Sequence, residues 1–286
     1  MIPGEFDYHA PATVEEALDL LAKNEDAKIL AGGQSLIPAM RFRLAQPAML
    51  IDINNIPGME YITESNGHLA LGAMTRETTI EDSGLVHDKY QLLADASRVI
   101  ADPIVRNRAT VGGNIAHADP ANDHPAVMLA YNATVIARSA KGEREIPIDE
   151  FFTDIFTNAM SHDELLTEIR IPRPGVMSGG AYVKFERKVG DYAVSAVAVQ
   201  LTMDGHMCKD IRIALTNVSG VPMRAKNAEA ALRGKAIMPD TLQAAGKAAA
   251  AECEPNADLR GSIEYKRDLT RILVKRAVRK AAERAS

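Results

Sequence analysis

The stretch Thr110-Val111-Gly112-Gly113-Asn114 decides how this chain is read, because an earlier stretch, Ala31-Gly32-Gly33-Gln34-Ser35, echoes it. Each is a double glycine flanked by small or hydroxyl-bearing residues, with an apolar, strand-like run close by. A Gly-Gly pair lets the backbone take positive φ and approach a ligand with no Cβ in between. Turns of that kind aim several N–H groups at one anion, so two of them suit a pyrophosphate. A lone Gly-Gly is ordinarily a tight turn between strands. A matched pair with polar escorts asks for more.

Working outward from the first pair, residues 13–23 predict a helix. Thr13 is its N-cap, Glu16 completes a capping box, and Ala17, Leu18 and Leu21 form the apolar stripe. Ala27–Ala31 then reads as a buried strand running into Gly32-Gly33, and Met49–Ile53 as another. That places the first glycine turn at a strand end, where open α/β units commonly bind ligands. The turn cluster Asn54-Asn55-Ile56-Pro57-Gly58 sets a boundary, so 1–53 is one small α/β unit.

Around the second pair, Met59–Thr63 and His68–Ala73 predict strands across the Ser65-Asn66-Gly67 turn. Thr78–Ser83 and Tyr90–Val99 predict helices, and Pro103 is expected to break the second. Beyond Asn114 comes a polar, turn-rich segment, 115–125, then a helical turn at 126–130. Strands are expected at 132–138, 145–148 and 165–171, and Pro172-Arg173-Pro174-Gly175 closes a second unit, 54–175. The remainder, 176–286, predicts strands at 181–186, 193–203 and 211–218, then helices at 239–251 and 265–285. The last helix carries Leu269, Ile272, Leu273, Ala277 and Val278 as its apolar face, and its Lys and Arg residues read as solvated.

Composition narrows the function. The 286 residues are 47% apolar and 25% charged, as in ordinary globular proteins, with a formal net charge of −5 that argues against nucleic acid. No apolar run is long enough to span a bilayer, and the start, Met1 to Asp7, lacks the pattern of a signal peptide. A cytoplasmic location is expected. The two cysteines, Cys208 and Cys253, are too few for a four-cysteine cluster within this chain. Redox chemistry here requires an organic cofactor.

In order and spacing, several motifs resemble the FAD-binding medium subunit of the molybdenum hydroxylases, the xanthine dehydrogenase and aerobic carbon monoxide dehydrogenase group. They are Ala31–Pro38, Leu71-Gly72-Ala73-Met74-Thr75, Ile100-Ala101-Asp102-Pro103, and Thr110–Asn114. Asp119-Pro120 with Asp123 and Pro125, Lys188–Tyr192 and Ile213–Val218 extend the likeness essentially end to end. Within that family the chain is most similar to carbon monoxide dehydrogenase medium subunits. The resemblance implies an α+β fold: two α/β FAD-binding subdomains of the PCMH type, then a C-terminal sheet-and-helix domain.

By the same resemblance, Ala31, Gly32, Gly33, Gln34 and Ser35, with Thr110, Val111, Gly112, Gly113 and Asn114, hold the FAD pyrophosphate and ribityl chain. The hydroxyls of Ser35 and Thr110 suit phosphate oxygens. Asp123, Lys184 and Leu166 match further FAD contacts, Ile100 an apolar neighbour of the isoalloxazine, and Tyr192 a tyrosine brought over the flavin ring. The carbon monoxide dehydrogenases it resembles more often have His where this chain has Gln34, a donor that does not titrate. The implied partners are a large molybdenum-cofactor subunit and a small [2Fe-2S] subunit in a dimer of heterotrimers. The implied electron acceptor is quinone or NAD.

Other readings of the residues remain. His117, Asp119, Asp123 and His124 bring metal-ligating types together, but Pro120 and Pro125 are expected to interrupt the helix that would align them. Ser35 lies in no G-x-S-x-G elbow, and Lys184 lacks the phosphate site expected beside a Schiff-base lysine. A free-standing flavoenzyme or a non-catalytic interaction subunit is the competing function class.

Overall fold

The computed structural model describes residues 2–285. Its first sheet is parallel, with strand order Asp7–His9, Met49–Asp52, Ala27–Leu30. Parallel neighbours need crossovers, and the helices Val14–Lys23 and Leu36–Arg41 lie in the two connections. Thr13 caps the first as expected, accepting from the Glu16 amide at 3.2 Å, but Glu16 Oε2 accepts from the Ala12 amide at 2.8 Å and not from that of Thr13, so the expected capping box is left half made. Ala17, Leu18 and Leu21 are the helix's buried face.

The second sheet is antiparallel, in the order Ile62–Ser65, His68–Gly72, Leu165–Pro172, Thr134–Ser139, Gly142–Pro147. Asn66 and Gly67 both take positive φ, which matches the twist of a two-residue hairpin. The strand expected from Met59 begins at Ile62. Thr78–Ser83 proves to be Glu77–Glu81, and Tyr90–Val99 proves to be Gln91–Ser97 with a further helix, Gly84–Lys89, before it.

The third sheet, Ser178–Phe185, Ser195–Asp204, Met207–Thr216 and Met223–Arg224, is antiparallel and carries helices Lys226–Leu232, Pro239–Glu252 and Ile263–Arg284. Its central strand is apolar on both faces for a reason. Val197, Val199 and Leu201 pack with those helices, whereas Ala196 and Ala198 join the core of the preceding sheets. The period of two divides one strand between two cores. On the last helix the buried face is Leu273, Val274, Ala277, Val278 and Ala281, with Leu269 and Ile272 only half-buried.

Pro103 and Pro125 behave differently from expectation. Pro103 begins the short helix Pro103–Arg106, whose N-cap Asp102 accepts from the Val105 amide. Pro38 and Pro125 lie in the first turns of Leu36–Arg41 and Asp123–Tyr131. A helix leaves its first N–H groups without intrahelical partners, so proline costs little there. Among the described residues no helix is long and apolar enough to cross a membrane.

Candidate functional site

The first glycine segment leaves the sheet at Leu30 and is tied down from behind. Asn54 Nδ2 donates to the Ala31 carbonyl at 2.8 Å and to Asp52 Oδ1 at 2.6 Å. Arg76 bridges Asn54 Oδ1, at 2.7 Å, to the Arg108 carbonyl, at 2.5 Å. Gly32 sits so close to residue 108 that a Cβ would lie 2.3 Å from that same carbonyl oxygen. Gly33 takes φ +75°, the left-handed region that glycine adopts freely. The result is a run of amides, Gly32, Gly33, Gln34 and Ser35, that donate no hydrogen bond to another described residue. Ser35 precedes the helix Leu36–Arg41 without capping it, so its hydroxyl is also uncommitted. Successive N–H groups through a left-handed residue make an anion nest.

The second glycine segment has a different structure. Thr110 is the N-cap of a helix, Val111–His117, and both glycines lie in its first turn with no positive φ. Its amides are committed: Val111 to Thr75 O at 3.0 Å, Gly112 to Ala73 O at 3.0 Å, Asn114 to Thr110 O at 2.9 Å. The Gly113 amide donates to Thr110 Oγ1 at 3.1 Å. The expectation of a positive-φ turn is therefore corrected. What this segment offers is side chains: a Thr110 hydroxyl that accepts from Gly113 and keeps its own proton to donate, and a buried Asn114 Oδ1 without a partner. Gly113 adds an open approach, since a Cβ there would meet only Thr110 Oγ1, at 2.8 Å, and Ala31 Cβ, at 3.8 Å. The two segments face each other across that glycine.

Farther along, Ala101 takes φ +46°, and Gly190, at φ +82°, approaches so closely that a Cβ would be 2.9 Å from the Ala101 carbonyl oxygen. Arg106 fixes this end, donating to the Ile100 and Ala101 carbonyls at 2.9 and 3.2 Å while Glu81 holds its guanidinium. Ile100 is buried, and Tyr192 is 43% exposed. Lys184 Nζ donates to the Val99 carbonyl at 2.9 Å and to Asp123 Oδ2 at 3.0 Å, and Tyr182 Oη donates to Asp123 Oδ1 at 2.6 Å. Burial pushes the Asp123 carboxyl above its ordinary value, against the opposing pull of Lys184 and Tyr182. Lys184 is thus a paired cation.

The residue types raised as a metal set go to separate partners. His124 Nε2 meets Glu77 Oε2 at 2.6 Å, both side chains fully buried, and His117 packs on the Phe156 ring. Burial alone would lower the His124 pKa, but the Glu77 carboxylate, helped by Asp123, raises it. Cys208 and Cys253 are buried free thiols in the C-terminal core, each pushed up to about 11 by burial. Leu166 is a buried core residue paired with Ala137 at a bulge, and its neighbour is hydrogen-bonded toward the second segment: Thr167 O accepts from Ala73, and Ala73 O from Gly112. Gln34 is exposed and makes no side-chain hydrogen bond to a described residue.

Sequence reasoning missed Asn54, Arg76, Arg106 and Tyr182, all of which position the site. Tyr182 had a usable signal, since Tyr182 and Lys184 alternate along one strand and so share a face. The others reach the site across more than twenty residues of sequence, or through backbone carbonyls, and leave no local pattern.

These features fit FAD: an anion nest, a facing glycine that a Cβ would obstruct, donors at Ser35 and Thr110, and an orphaned Asn114 oxygen. The comparisons agree. Residues 4–174 match the FAD binding domain in molybdopterin dehydrogenase, and residues 180–281 the CO dehydrogenase flavoprotein C-terminal domain. The chain is 44% identical to the carbon monoxide dehydrogenase medium chain of Hydrogenophaga pseudoflava, with 100% of both chains covered. It is 39% identical to the nicotine 6-hydroxylase medium subunit of Paenarthrobacter nicotinovorans over 97% of each. The solved carbon monoxide dehydrogenase of Hydrogenophaga pseudoflava superposes with a TM-score of 0.98 at 46% identity, covering 100% of both chains. The chain belongs to the FAD-binding medium subunits of the molybdenum hydroxylases.

Proposed function

We propose that this chain is the FAD-carrying electron-transfer subunit of a molybdenum-containing dehydrogenase, most like aerobic carbon monoxide dehydrogenase. It takes electrons from iron–sulfur clusters in a small partner subunit, which receive them from a molybdenum centre in a large one. FAD supplies the ability to accept two electrons singly and hand them to an outside acceptor. Quinone or NAD is the proposed acceptor, a dimer of heterotrimers the proposed assembly, and the cytoplasm the proposed location.

The observation that carries this reading is the run of uncommitted amides at 32–35 facing Gly113. In the proposed pose, Ala31–Ser35 takes the pyrophosphate on backbone N–H groups. Thr110 and Asn114 contact the phosphate and ribityl oxygens, with Val111 and Gly112 setting the helix turn that presents them. Ile100 and Tyr192 border the ring, while Asp123, Lys184 and Leu166 support that border. We place the subdomains at 1–53, 54–175 and 176–286. No residue here acts as general acid or base on the organic substrate. Substrate choice resides in the large subunit, in keeping with medium chains this similar serving carbon monoxide and nicotine enzymes.

Affinity purification of the full-length protein tests the proposal. The expected preparation is yellow, releases FAD on acid denaturation and brings two partner chains containing molybdenum and iron. A colourless protein that takes up no FAD from solution would sink the reading. So would a yellow monomer that oxidises an organic substrate unaided.

A further inference from the structure

The ring border is held by a part of the chain far from either glycine segment. Tyr192 ends a loop, 187–192, that extends from the strand Ser178–Phe185 and presses Gly190 against Ala101. The loop closes on itself through the Asp191 amide, which donates to the Lys188 carbonyl at 3.1 Å, and it is also held from outside. A turn at 258–261, just before the C-terminal helix, docks on it. Arg260 Nη2 meets Asp191 Oδ1 at 2.8 Å, and its guanidinium carbon lies 5.4 Å from the centre of the Tyr192 ring. Asp191 Oδ1 also accepts from the Tyr192 amide at 2.8 Å. From the other side Arg187 reaches Asp191 Oδ2 at 3.3 Å and the Leu259 carbonyl at 3.2 Å. The turn is braced in its own right: Asp258 accepts from the Arg260 and Gly261 amides and pairs with the buried Lys266 at 2.9 Å.

One atom stands out in this arrangement. Arg260 Nε is buried and has no hydrogen-bond partner. Asp191 Oδ2 is already held by Arg187, so the Arg260 guanidinium has only Oδ1 to grip. One prong goes there, and the cation is spread against the tyrosine ring.

We propose that Arg260 is a positioning residue for Tyr192: by gripping Asp191 and covering the ring of Tyr192, it sets where that ring stands over the flavin and so how exposed the flavin edge is. The inference rests on the reading that Tyr192 borders the isoalloxazine. Arg260 touches neither FAD nor the acceptor. It acts through the loop, and the C-terminal domain thereby reaches the cofactor site.

The test uses the full-length FAD-loaded protein and reads flavin fluorescence, FAD dissociation constant and thermal midpoint. An aromatic ring held against a flavin quenches its emission. Arg260→Met keeps the aliphatic packing but removes the charge and the donors. It is expected to raise flavin fluorescence and weaken FAD binding by about three- to tenfold, the scale of a cation–π contact plus one charge-assisted hydrogen bond. The thermal midpoint of the FAD-free protein should be unchanged. Arg260→Lys should restore part of the quenching. Tyr192→Ala should match Arg260→Met, and the double variant should be no worse than Tyr192→Ala alone. If Tyr192→Ala dequenches the flavin but Arg260→Met does not, or if the two effects add, the inference is overturned while the ring-border reading stands. If Tyr192→Ala leaves emission unchanged, both fall.

Discussion

The two double-glycine segments look alike in sequence and do opposite things with their backbones. At 31–35 the chain turns through a left-handed Gly33 and leaves its amides uncommitted. At 110–114 it enters a helix, commits every amide from 111 to 114, and presents side chains. The glycines differ accordingly. Gly33 is needed for its φ, whereas Gly32 and Gly112 are needed because another backbone lies where a Cβ would go. Of these four, Gly113 is the one that combines helical geometry with an open approach. A ligand gripped by this pair meets a soft donor-rich nest on one side and a rigid helix turn on the other. That asymmetry can be broken by substitution.

The largest effect is expected at Gly112→Val. Its Cβ would lie 2.6 Å from the Ala73 carbonyl oxygen, which is backbone and cannot swing aside. Overpacking of that kind costs about 3 kcal/mol or more, so most of the protein should be lost from the soluble, cooperatively melting fraction. A normally folded Gly112→Val would mean that the helix does not rest on Ala73.

Gly113→Val should separate folding from binding. A Cβ at this position has only the Thr110 hydroxyl and Ala31 Cβ near it, and a β-branched residue in a helix is no worse than glycine. Stability should change by no more than about 1 kcal/mol while FAD retention is abolished. Full flavin content in Gly113→Val would show that the ligand does not pass between the segments. On the opposite side, Gly33→Ala should cost about 1 kcal/mol in stability from its φ of +75° and weaken FAD binding roughly tenfold by flattening the nest. Calorimetry and FAD titration of both variants distinguish a steric gate from a donor cradle.

The segments also differ in what supports them. Behind the first stands the network of Asn54, Asp52 and Arg76, whereas beside the second lies the buried His124–Glu77 pair. Because the folded-state pKa of His124 is raised above its ordinary 6.5, its contribution to stability is fully present below about 6.5 and is lost as pH rises through the folded value. Wild type and His124→Gln should therefore differ most in denaturant midpoint at mildly acidic pH and converge toward alkaline pH. A difference that grows with pH would show that the imidazole is neutral in the fold.

How much of this was legible follows from what makes each feature. The helix at Val14–Lys23 and the strands at Ala27–Leu30 and Ser195–Asp204 were readable because apolar period and capping are local properties. The location of both glycine segments was readable too. Their conformations were not, because the glycine pair in Thr110–Asn114 is compatible with a turn and with a first helical turn alike. What settles the matter is Ala73 and Thr75, nearly forty residues earlier, which receive the Gly112 and Val111 amides. Pro125 misled for a related reason: proline reads as a breaker unless the helix start is already known. The supports, Asn54 on Ala31 and Arg106 on Ile100, act on carbonyls that every residue has, and so carry no sequence signature.

The finest test of the asymmetry compares two hydroxyls. Ser35 caps nothing, while Thr110 Oγ1 accepts the Gly113 amide and caps its helix. Removing a single neutral donor to a ligand costs about 0.5–1.5 kcal/mol, or roughly two- to tenfold in affinity. Ser35→Ala should therefore weaken FAD binding within that range and leave the thermal midpoint of the FAD-free protein where it was. Thr110→Val removes the same donor but also a cap worth about 1 kcal/mol, so affinity and thermal midpoint should fall together. Thr110→Ser, which keeps the hydroxyl, should recover both. If Ser35→Ala lowers the melting temperature as Thr110→Val does, the first hydroxyl is structural after all, and the nest at 32–35 is held by a bond that its geometry does not reveal. If Thr110→Val melts early yet binds FAD with unchanged affinity, the hydroxyl serves only its helix, and the pyrophosphate is held by the first segment alone.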